Sequence, residues 1–202
     1  YQASNMSTIS CYHAVKRGDD KSTRPPISPL YTDNAFVGDR SGSMCSTNRG
    51  SQEGAVSYVK KQADAAKKLN CSEGFYIDFT TFDDTIECPF SGDASEVDGN
   101  VLKKMYDSME PRGCTKLYDA IIDSIKRQSK RLDDKFNSLS PVTKRLVENQ
   151  PWLFSASCSP MTDGFDNASR PNSKDEVRIV IKGYEEKYNA NVIKFKKSIN
   201  EQ

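Results

Sequence analysis

From Tyr31 onward, short apolar segments alternate with longer segments in which apolar residues recur at helical spacing. Alternation of this kind is typical of an α/β fold, in which helices cover both faces of a doubly wound, mostly parallel sheet. Strands are predicted at residues 34–39, 75–82, 85–88, 152–162 and 191–196. Helices are predicted at residues 51–69, 115–136 and 141–148, and in a segment that Ser173 caps.

Two of the predicted strands carry features that bear on their place in the sheet. Asp83 and Asp84 offer a tight turn, so that residues 85–88 return antiparallel to the preceding strand and form an edge of the sheet. The segment 152–162 contains three serines and Pro160, a composition that is unfavourable in a central strand. Its position in the alternation, rather than its composition, predicts a strand there.

The chain is expected to comprise two parts. Residues 1–30 are poor in apolar side chains and contain Pro25 and Pro26, which predicts an irregular N-terminal extension. Residues 31–202 form the predicted α/β domain. The apolar runs are far shorter than the roughly 20 residues of a membrane-spanning helix, so insertion into a membrane is not expected.

The charge of the chain is nearly balanced, with 29 Lys and Arg residues, 28 Asp and Glu residues and a formal net charge of +1. Such a chain has no strong basic field with which to bind nucleic acid. The basic clusters at 60–61, 67–68 and 126–131 alternate with acids on the predicted outer faces of helices. We therefore expect them to be solvated surface.

The single histidine, His13, restricts the catalytic chemistry that the chain can perform. Ser-His-Asp and Cys-His mechanisms need an imidazole beside the reacting group, so any catalysis here would use carboxylates, hydroxyls or a metal. We expect His13 to be incidental and Trp152 to be a packing anchor.

Six cysteines leave the redox compartment open. They form no Cys-x-x-Cys pair, so neither a zinc ribbon nor a thioredoxin-type motif is predicted. Three disulfides in an oxidising compartment and six free thiols in a reducing one are equally compatible with this count. The cysteines are at positions 11, 45, 71, 88, 114 and 158.

Oxygen-bearing side chains stand in three loops that the predicted fold brings together. Asp39, Ser41 and Ser43 follow the first strand, Thr115 begins a helix, and Asp163 follows the fourth strand. The carboxyl ends of parallel strands share one rim of a sheet, so we expect these five residues to converge. Hydroxyl and carboxylate oxygens suit Mg²⁺ or Mn²⁺, with Ca²⁺ as an alternative.

This donor set also indicates what would complete the site. If the two aspartates act mainly through water while the hydroxyls bind directly, the ion stays electrophilic enough to take one more carboxylate. The expected partner is a protein ligand or a neighbouring subunit that offers Asp or Glu. The function predicted from the residues is thus noncatalytic, metal-dependent protein binding in adhesion or assembly.

Each motif also has an ordinary structural interpretation, and two other functions compete. Asp-x-Ser-x-Ser alone can be an Asx-turn and helix cap, and Thr-Asp-Gly alone is a common turn. Asp119 and Asp166 can adjust the charge of the site or simply start helices.

The chain could be a structural subunit whose metal site is permanently occupied. It could also be a Mg²⁺-dependent phosphoryl-transfer enzyme with Asp39 as nucleophile, although Ser41 stands where such enzymes place a second acid.

The sequence resembles the von Willebrand factor type A (vWA) family with its metal-ion-dependent adhesion site. The resemblance rests on FVGDRSGSM at 36–44, GCTKLYDAI at 113–121 and MTDGFDN at 161–167. It implies that Ser41, Ser43 and Thr115 are hydroxyl ligands of Mg²⁺, and that Asp39 and Asp163 hold the ion mainly through water. The expected location is extracellular or at the cell surface, with the cytoplasm as the alternative.

Three features depart from the family pattern or are specific to this chain. The fourth strand is unusually polar, and it follows an apparent insertion at residues 137–151. The chain ends after the fifth predicted strand, so the domain either lacks the last strand and helix or has that edge covered by the extension or another subunit. Cys45 and Cys114 lie beside site residues on neighbouring loops, where either a disulfide or two free thiols would fit.

Overall fold

The computed structural model describes residues 29–69, 74–150, 153–164, 166–188 and 191–192 of the 202-residue chain. Most of the predicted extension at residues 1–30 therefore lies outside the described residues, as do His13 and Trp152. The same holds for residues 193–196 of the last predicted strand. The division into an extension and a domain remains a prediction.

Five strands and five α-helices follow one another in the described part of the chain in largely the predicted order. The strands are β1 (Tyr31–Asp39), β2 (Phe75–Phe82), β3 (Ile86–Asp93), β4 (Phe154–Met161) and β5 (Asn191–Val192). The helices are α1 (Asn48–Lys68), α2 (Gly99–Ser108), α3 (Leu117–Ser138), α4 (Pro141–Asn149) and α5 (Lys174–Tyr188).

The strands form one sheet in the order β3-β2-β1-β4-β5. Strand β1 is parallel to both β2 and β4, β5 is parallel to β4, and only the edge strand β3 is antiparallel. The predicted fold class is confirmed. The register pairs Asp39 with Phe82 and Gly38 with Met161, so β1, β2 and β4 end side by side on one rim of the sheet.

Alternate residues of β1 point to opposite faces of the sheet and into two separate apolar cores. Val37 belongs to the core beneath α3, α4 and α5, whereas Phe36 belongs to the core beneath α1 and α2. On the second face, Phe36 stacks on Phe79 of β2 at 5.0 Å between ring centroids. Burial on both faces explains why β1 is a central strand.

Helix α2 was not predicted from the sequence, and its ten residues explain why. A helix of this length offers fewer than three turns of periodicity, which is little signal. Its start is nevertheless fixed locally, because the Asp98 side chain accepts a hydrogen bond from the backbone N–H of Val101 at 2.8 Å. Met105 of the helix and Met109, the residue directly after it, are buried in the core beneath α1 and α2.

Two serines of β4 form hydrogen bonds with side chains of β1, which explains how so polar a segment forms a strand. The Ser157 hydroxyl donates to Asn34 Oδ1 of β1 at 2.6 Å, and Ser155 Oγ lies 3.2 Å from Thr32 Oγ1. The prediction of a strand from position in the alternation is confirmed. The hydrogen bonds to polar side chains of β1 satisfy these serine hydroxyls, and a strand with this unfavourable composition can therefore form.

Part of the basic cluster at 126–131 does not lie on a solvated surface, and the prediction is wrong for Arg127 and Arg131. Arg131 is only 18% exposed and donates to Asp33 of β1 and Asp78 of β2, each at 2.9 Å. Arg127 also contacts Asp78, at 3.2 Å. The two carboxylates are fully buried, and a buried charge requires a partner, which turns these arginines inward.

Candidate metal site

The site begins at the end of β1, where the chain turns sharply. Asp39 is the last residue of the strand and is 1% exposed. Its Oδ1 accepts a hydrogen bond from the backbone N–H of Ser41 at 2.7 Å, which closes an Asx-type turn. A short 3₁₀ turn at Gly42–Ser46 follows and presents Ser43 to solvent.

Two serine hydroxyls connect this loop to the loop after β4. Ser41 Oγ and Ser43 Oγ lie 3.0 Å apart, and Ser43 donates to Asp163 Oδ1 at 2.9 Å. Ser43 and Asp163 are 120 positions apart in the sequence and meet because β1 and β4 are neighbouring parallel strands. The predicted convergence of Ser41, Ser43 and Asp163 is therefore observed.

A further hydroxyl, that of Thr162, joins the two predicted carboxylate positions. Thr162 Oγ1 donates to Asp39 Oδ2 at 2.5 Å and accepts from the backbone N–H of Gly164 at 3.1 Å. Thr162 was not among the site residues predicted from the sequence. The available signal was its position, since it is the first residue after a strand that pairs with β1.

Thr115 reaches the same rim through backbone contacts. Gly42 donates its N–H to the carbonyl of Gly113 at 3.1 Å, which joins the loop after β1 to the loop before α3. The N–H of Thr115 donates to Asn167 Oδ1 at 2.9 Å, and the Thr115 side chain is buried. Asn167 is a second contact that the sequence analysis missed.

Gly113 has a conformation that no other residue could adopt easily at this point. Its φ is +65°, and a Cβ placed there would lie 2.3 Å from Asp84 Oδ2. A left-handed backbone and a close approach both favour glycine. This residue lets the loop before α3 pass close to the turn between β2 and β3.

Asp119 and Asp166 accept hydrogen bonds that link the loop after β4 to the first turn of α3. Asp166 Oδ2 accepts from the N–H of Tyr118 in the first turn of α3, at 3.1 Å. Asp119 accepts from the N–H of Arg170 at 3.1 Å and from the side chain of Asn172 at 2.7 Å. The two aspartates thus bind the loop after β4 to the beginning of α3.

Arg40, between Asp39 and Ser41, points away from the cluster and is buried. Its guanidinium donates to Asp83 at 2.9 Å and to Glu87 at 2.9 Å. A hydrogen bond from Arg40, together with the charges of Arg40 and Arg112, lowers the pKa of Glu87 to about 2. These ion pairs fix the loop after β1 against the β2–β3 turn.

The distances within the cluster fit a small hard cation. Two adjacent ligands of an octahedral Mg²⁺, each at about 2.1 Å, lie about 3 Å from one another. The oxygen separations of 3.0 and 2.9 Å that join Ser41, Ser43 and Asp163 match this edge length. Within the described ranges there is no group of three or more His, Cys, Asp and Glu side chains that could hold an ion. A site here would therefore depend on its hydroxyls.

The described cysteines are free thiols, including Cys45 and Cys114 beside the cluster. Both of these are exposed, and the negative charge of Asp84 raises the pKa of Cys114. Burial raises the pKa of Cys158 to about 12. Thiols with a raised pKa are poor nucleophiles and poor metal ligands at neutral pH. Cys11 and Cys71 lie outside the described residues.

The proteins found to be similar to this chain are solved structures. No family model and no curated protein matches the chain. The vWF domain of the type V pili tip protein Mfa5 from Porphyromonas gingivalis is 15% identical, with 69% of this chain and 40% of that chain covered and a TM-score of 0.42. Proximal thread matrix protein 1 from the mussel byssus is 14% identical, with coverages of 83% and 36% and a TM-score of 0.47.

A third similar structure is the von Willebrand factor type A domain from Catenulispora acidiphila. It is 14% identical, with 80% of this chain and 38% of that chain covered and a TM-score of 0.40. The chain spans less than half the length of each of these three structures. Similarity at this level concerns the arrangement of strands and helices and assigns no function.

In the described part of the chain, no helix is long and apolar enough to cross a membrane.

Proposed function

We propose that this chain is a noncatalytic protein-binding module that requires a divalent metal and acts in adhesion or assembly. The observation that carries the proposal is the hydrogen-bonded cluster of two serine hydroxyls and a carboxylate, Ser41, Ser43 and Asp163, beside buried Asp39. In this proposal Asp39, Ser41, Ser43, Thr115 and Asp163 hold Mg²⁺ or Mn²⁺.

The chemistry of the donor set supports binding to a carboxylate partner. A bound dication would supply Lewis acidity at an exposed position of the rim, where a partner's oxygen could complete its shell. Ser43 is exposed and Asp163 is half-buried, so this side of the cluster faces solvent. The two aspartates balance the charge of a dication, while the hydroxyls add none.

The arrangement around Asp39 supports binding rather than phosphoryl transfer. Both of its carboxylate oxygens accept hydrogen bonds, from Ser41 N–H and from the Thr162 hydroxyl, which hold the group in place inside the protein. The nearest cationic side chain along the chain, Arg40, is engaged by Asp83 and Glu87. An attacking aspartate would need an accessible oxygen and a free cation to stabilise the transferred phosphoryl group.

The direct test is calorimetric titration of the chelator-treated chain with MgCl₂ and MnCl₂. We expect saturable binding of one ion by the wild type, and a loss of at least tenfold in affinity in Asp163→Asn and Ser43→Ala. Asp64→Asn is the matched control, because Asp64 is a half-exposed carboxylate on α1 that forms a surface ion pair with Lys60 and is not a proposed ligand. Equal affinities in all four proteins would contradict the proposed ligands.

The partner chemistry can be tested with a probe of known composition. A short Glu-containing peptide added to the Mn²⁺-loaded chain should displace water from the ion and lower the water-proton relaxation rate. The Gln analogue of the peptide should have no effect, since a neutral amide is a poorer ligand for a hard cation. We extend the proposal to an extracellular or cell-surface location.

A further inference from the structure

The feature that carries a further inference is the side-chain bridge between β1 and β4 at Thr162. Strands β1 and β4 are paired up to Gly38 and Met161, so Asp39 and Thr162 are the next two residues in register. At this position a side-chain hydrogen bond follows the backbone ladder, from Thr162 Oγ1 to Asp39 Oδ2 at 2.5 Å.

The same hydroxyl also fixes the backbone around Asp163. Thr162 Oγ1 accepts from the N–H of Gly164 at 3.1 Å, so the turn that carries Asp163 closes on the oxygen that holds Asp39. One hydroxyl therefore connects the Asp39 carboxylate to the backbone of the turn that carries Asp163. The Asp163 carboxylate itself is held by Ser43, which donates to its Oδ1.

Ion selectivity in an oxygen site depends on how rigidly the ligands keep their separation. Mg²⁺ demands near-ideal geometry at 2.0–2.1 Å, whereas Ca²⁺ accepts a looser and larger shell at 2.3–2.6 Å. A hydroxyl that ties the Asp39 carboxylate to the turn that carries Asp163 limits how far the shell can expand and thus favours the smaller ion. The contacts of Asn167 with Thr115 hold the same loop farther along the chain.

We propose that Thr162 is a positioning residue that sets the preference of this site for Mg²⁺ over Ca²⁺, by tying Asp39 to the turn that carries Asp163. The inference rests on the proposed metal-binding function. Thr162 itself contacts no ion in this proposal. Its effect is exerted through Asp39 and through the backbone on either side of Asp163.

Substitution at Thr162 can separate the hydroxyl from the rest of the side chain. Thr162→Val keeps the β-branched shape and removes both hydrogen bonds, while Thr162→Ser keeps the hydroxyl. The backbone pairing of β4 ends at Met161, so neither change removes a ladder hydrogen bond. Thr162→Ala serves as a second hydroxyl-free variant should Thr162→Val fold poorly.

The experiment is titration of each protein with MgCl₂ and with CaCl₂, with thermal unfolding in EDTA to check the fold. We expect Thr162→Val to lose about 10- to 100-fold in Mg²⁺ affinity, a typical cost of removing a group that orients a ligand, and to lose less in Ca²⁺ affinity. The ratio of the two affinities should shift toward Ca²⁺ by at least fivefold. Thr162→Ser should restore the wild-type ratio.

The outcomes distinguish this inference from the proposed function. If the wild type binds Mg²⁺ and the hydroxyl-free variants keep its Mg²⁺/Ca²⁺ ratio within twofold, the positioning role is wrong and the metal site stands. If both affinities fall by the same factor, Thr162 is merely structural, which also overturns the inference. If the wild type binds neither ion, the proposed function fails and the inference fails with it.

Discussion

Arg40 shows how a single residue in the candidate site sequence can serve the loop rather than the ion. It lies between Asp39 and Ser41, yet its side chain is 3% exposed and contacts Asp83 and Glu87 on the neighbouring turn. Arg112 contacts the same two carboxylates, at 2.5 and 2.7 Å. Two guanidinium groups therefore share two carboxylates, and they fix the path of the chain on either side of the hydroxyl ligands.

Glu87→Gln tests this cluster through the dependence of stability on pH. The pKa of Glu87 is lowered from 4.5 to about 2, first by the hydrogen bond from Arg40 and then by the neighbouring positive charges. Because the folded state favours the ionised form, its contribution is complete above about pH 4.5 and is lost as the pH falls toward 2. We expect Glu87→Gln to lower the free energy of unfolding by on the order of 1 kcal/mol at pH 7, a value reduced by solvent screening.

Urea unfolding of both proteins between pH 7 and pH 2 measures this difference, which should shrink steadily below pH 4.5. Glu53→Gln is the control, since Glu53 forms an exposed ion pair with Arg49 on the surface of α1. It should change stability by no more than a few tenths of a kcal/mol. A Glu87→Gln difference that stays constant down to pH 2 would show that the charge of Glu87 is not its cause.

At the scale of elements, the start of α3 is controlled by a loop that is distant in sequence. The residue at its N-cap position, Lys116, makes no capping hydrogen bond with its side chain. Asp166 and Ser169 instead accept hydrogen bonds from the backbone N–H groups of Tyr118 and Asp119, at 3.1 and 3.0 Å. The loop after β4 thus caps the helix that follows Thr115, and links the two sides of the candidate site.

Asp166→Ala should affect both stability and metal binding for this reason. Loss of a capping side chain typically costs about 1 kcal/mol, and here it also loosens the loop between Asp163 and α3. Ser140→Ala is the matched control, because Ser140 caps α4 by accepting from Thr143 N–H at 3.1 Å, in a helix that carries no proposed ligand. Thermal unfolding should show a similar loss in both variants, whereas calorimetry should show weaker Mg²⁺ binding only in Asp166→Ala. Equal Mg²⁺ affinities in the two variants would show that the cap of α3 does not contribute to metal binding.

The fold class and the convergence of Ser41, Ser43 and Asp163 could be predicted, because they follow from the alternation of strands and helices and from the rule that parallel strands end together. Contacts that depend on the exact register of distant segments could not be predicted. The inward turn of Arg131 did not follow, because its partners lie 98 and 53 positions away. Thr162 was missed for the same reason, since only the register of β4 against β1 brings it to Asp39.

At the scale of the whole molecule, the candidate ligands belong to segments that the chain brings together only on folding. Asp39 ends β1, Asp163 follows β4, and Thr115 precedes α3, whose inner face packs in the core against β1 and β4. In the unfolded chain these residues are far apart, so the proposed site exists only in the folded state. An ion that binds there must stabilise the fold by mass action.

We therefore expect Mg²⁺ to raise the melting temperature of the wild type. At a concentration 100 times the dissociation constant, the gain is about 2.7 kcal/mol, which for a domain of this size corresponds to roughly 5–10 °C. Scanning calorimetry with increasing MgCl₂ measures the effect, and NaCl at matched ionic strength controls for screening of the surface ion pairs. Asp163→Asn should lose most of the increase while keeping a similar melting temperature in EDTA. An equal rise in both proteins would mean that Mg²⁺ stabilises the fold elsewhere, because only binding that uses Asp163 depends on the charge of its carboxylate.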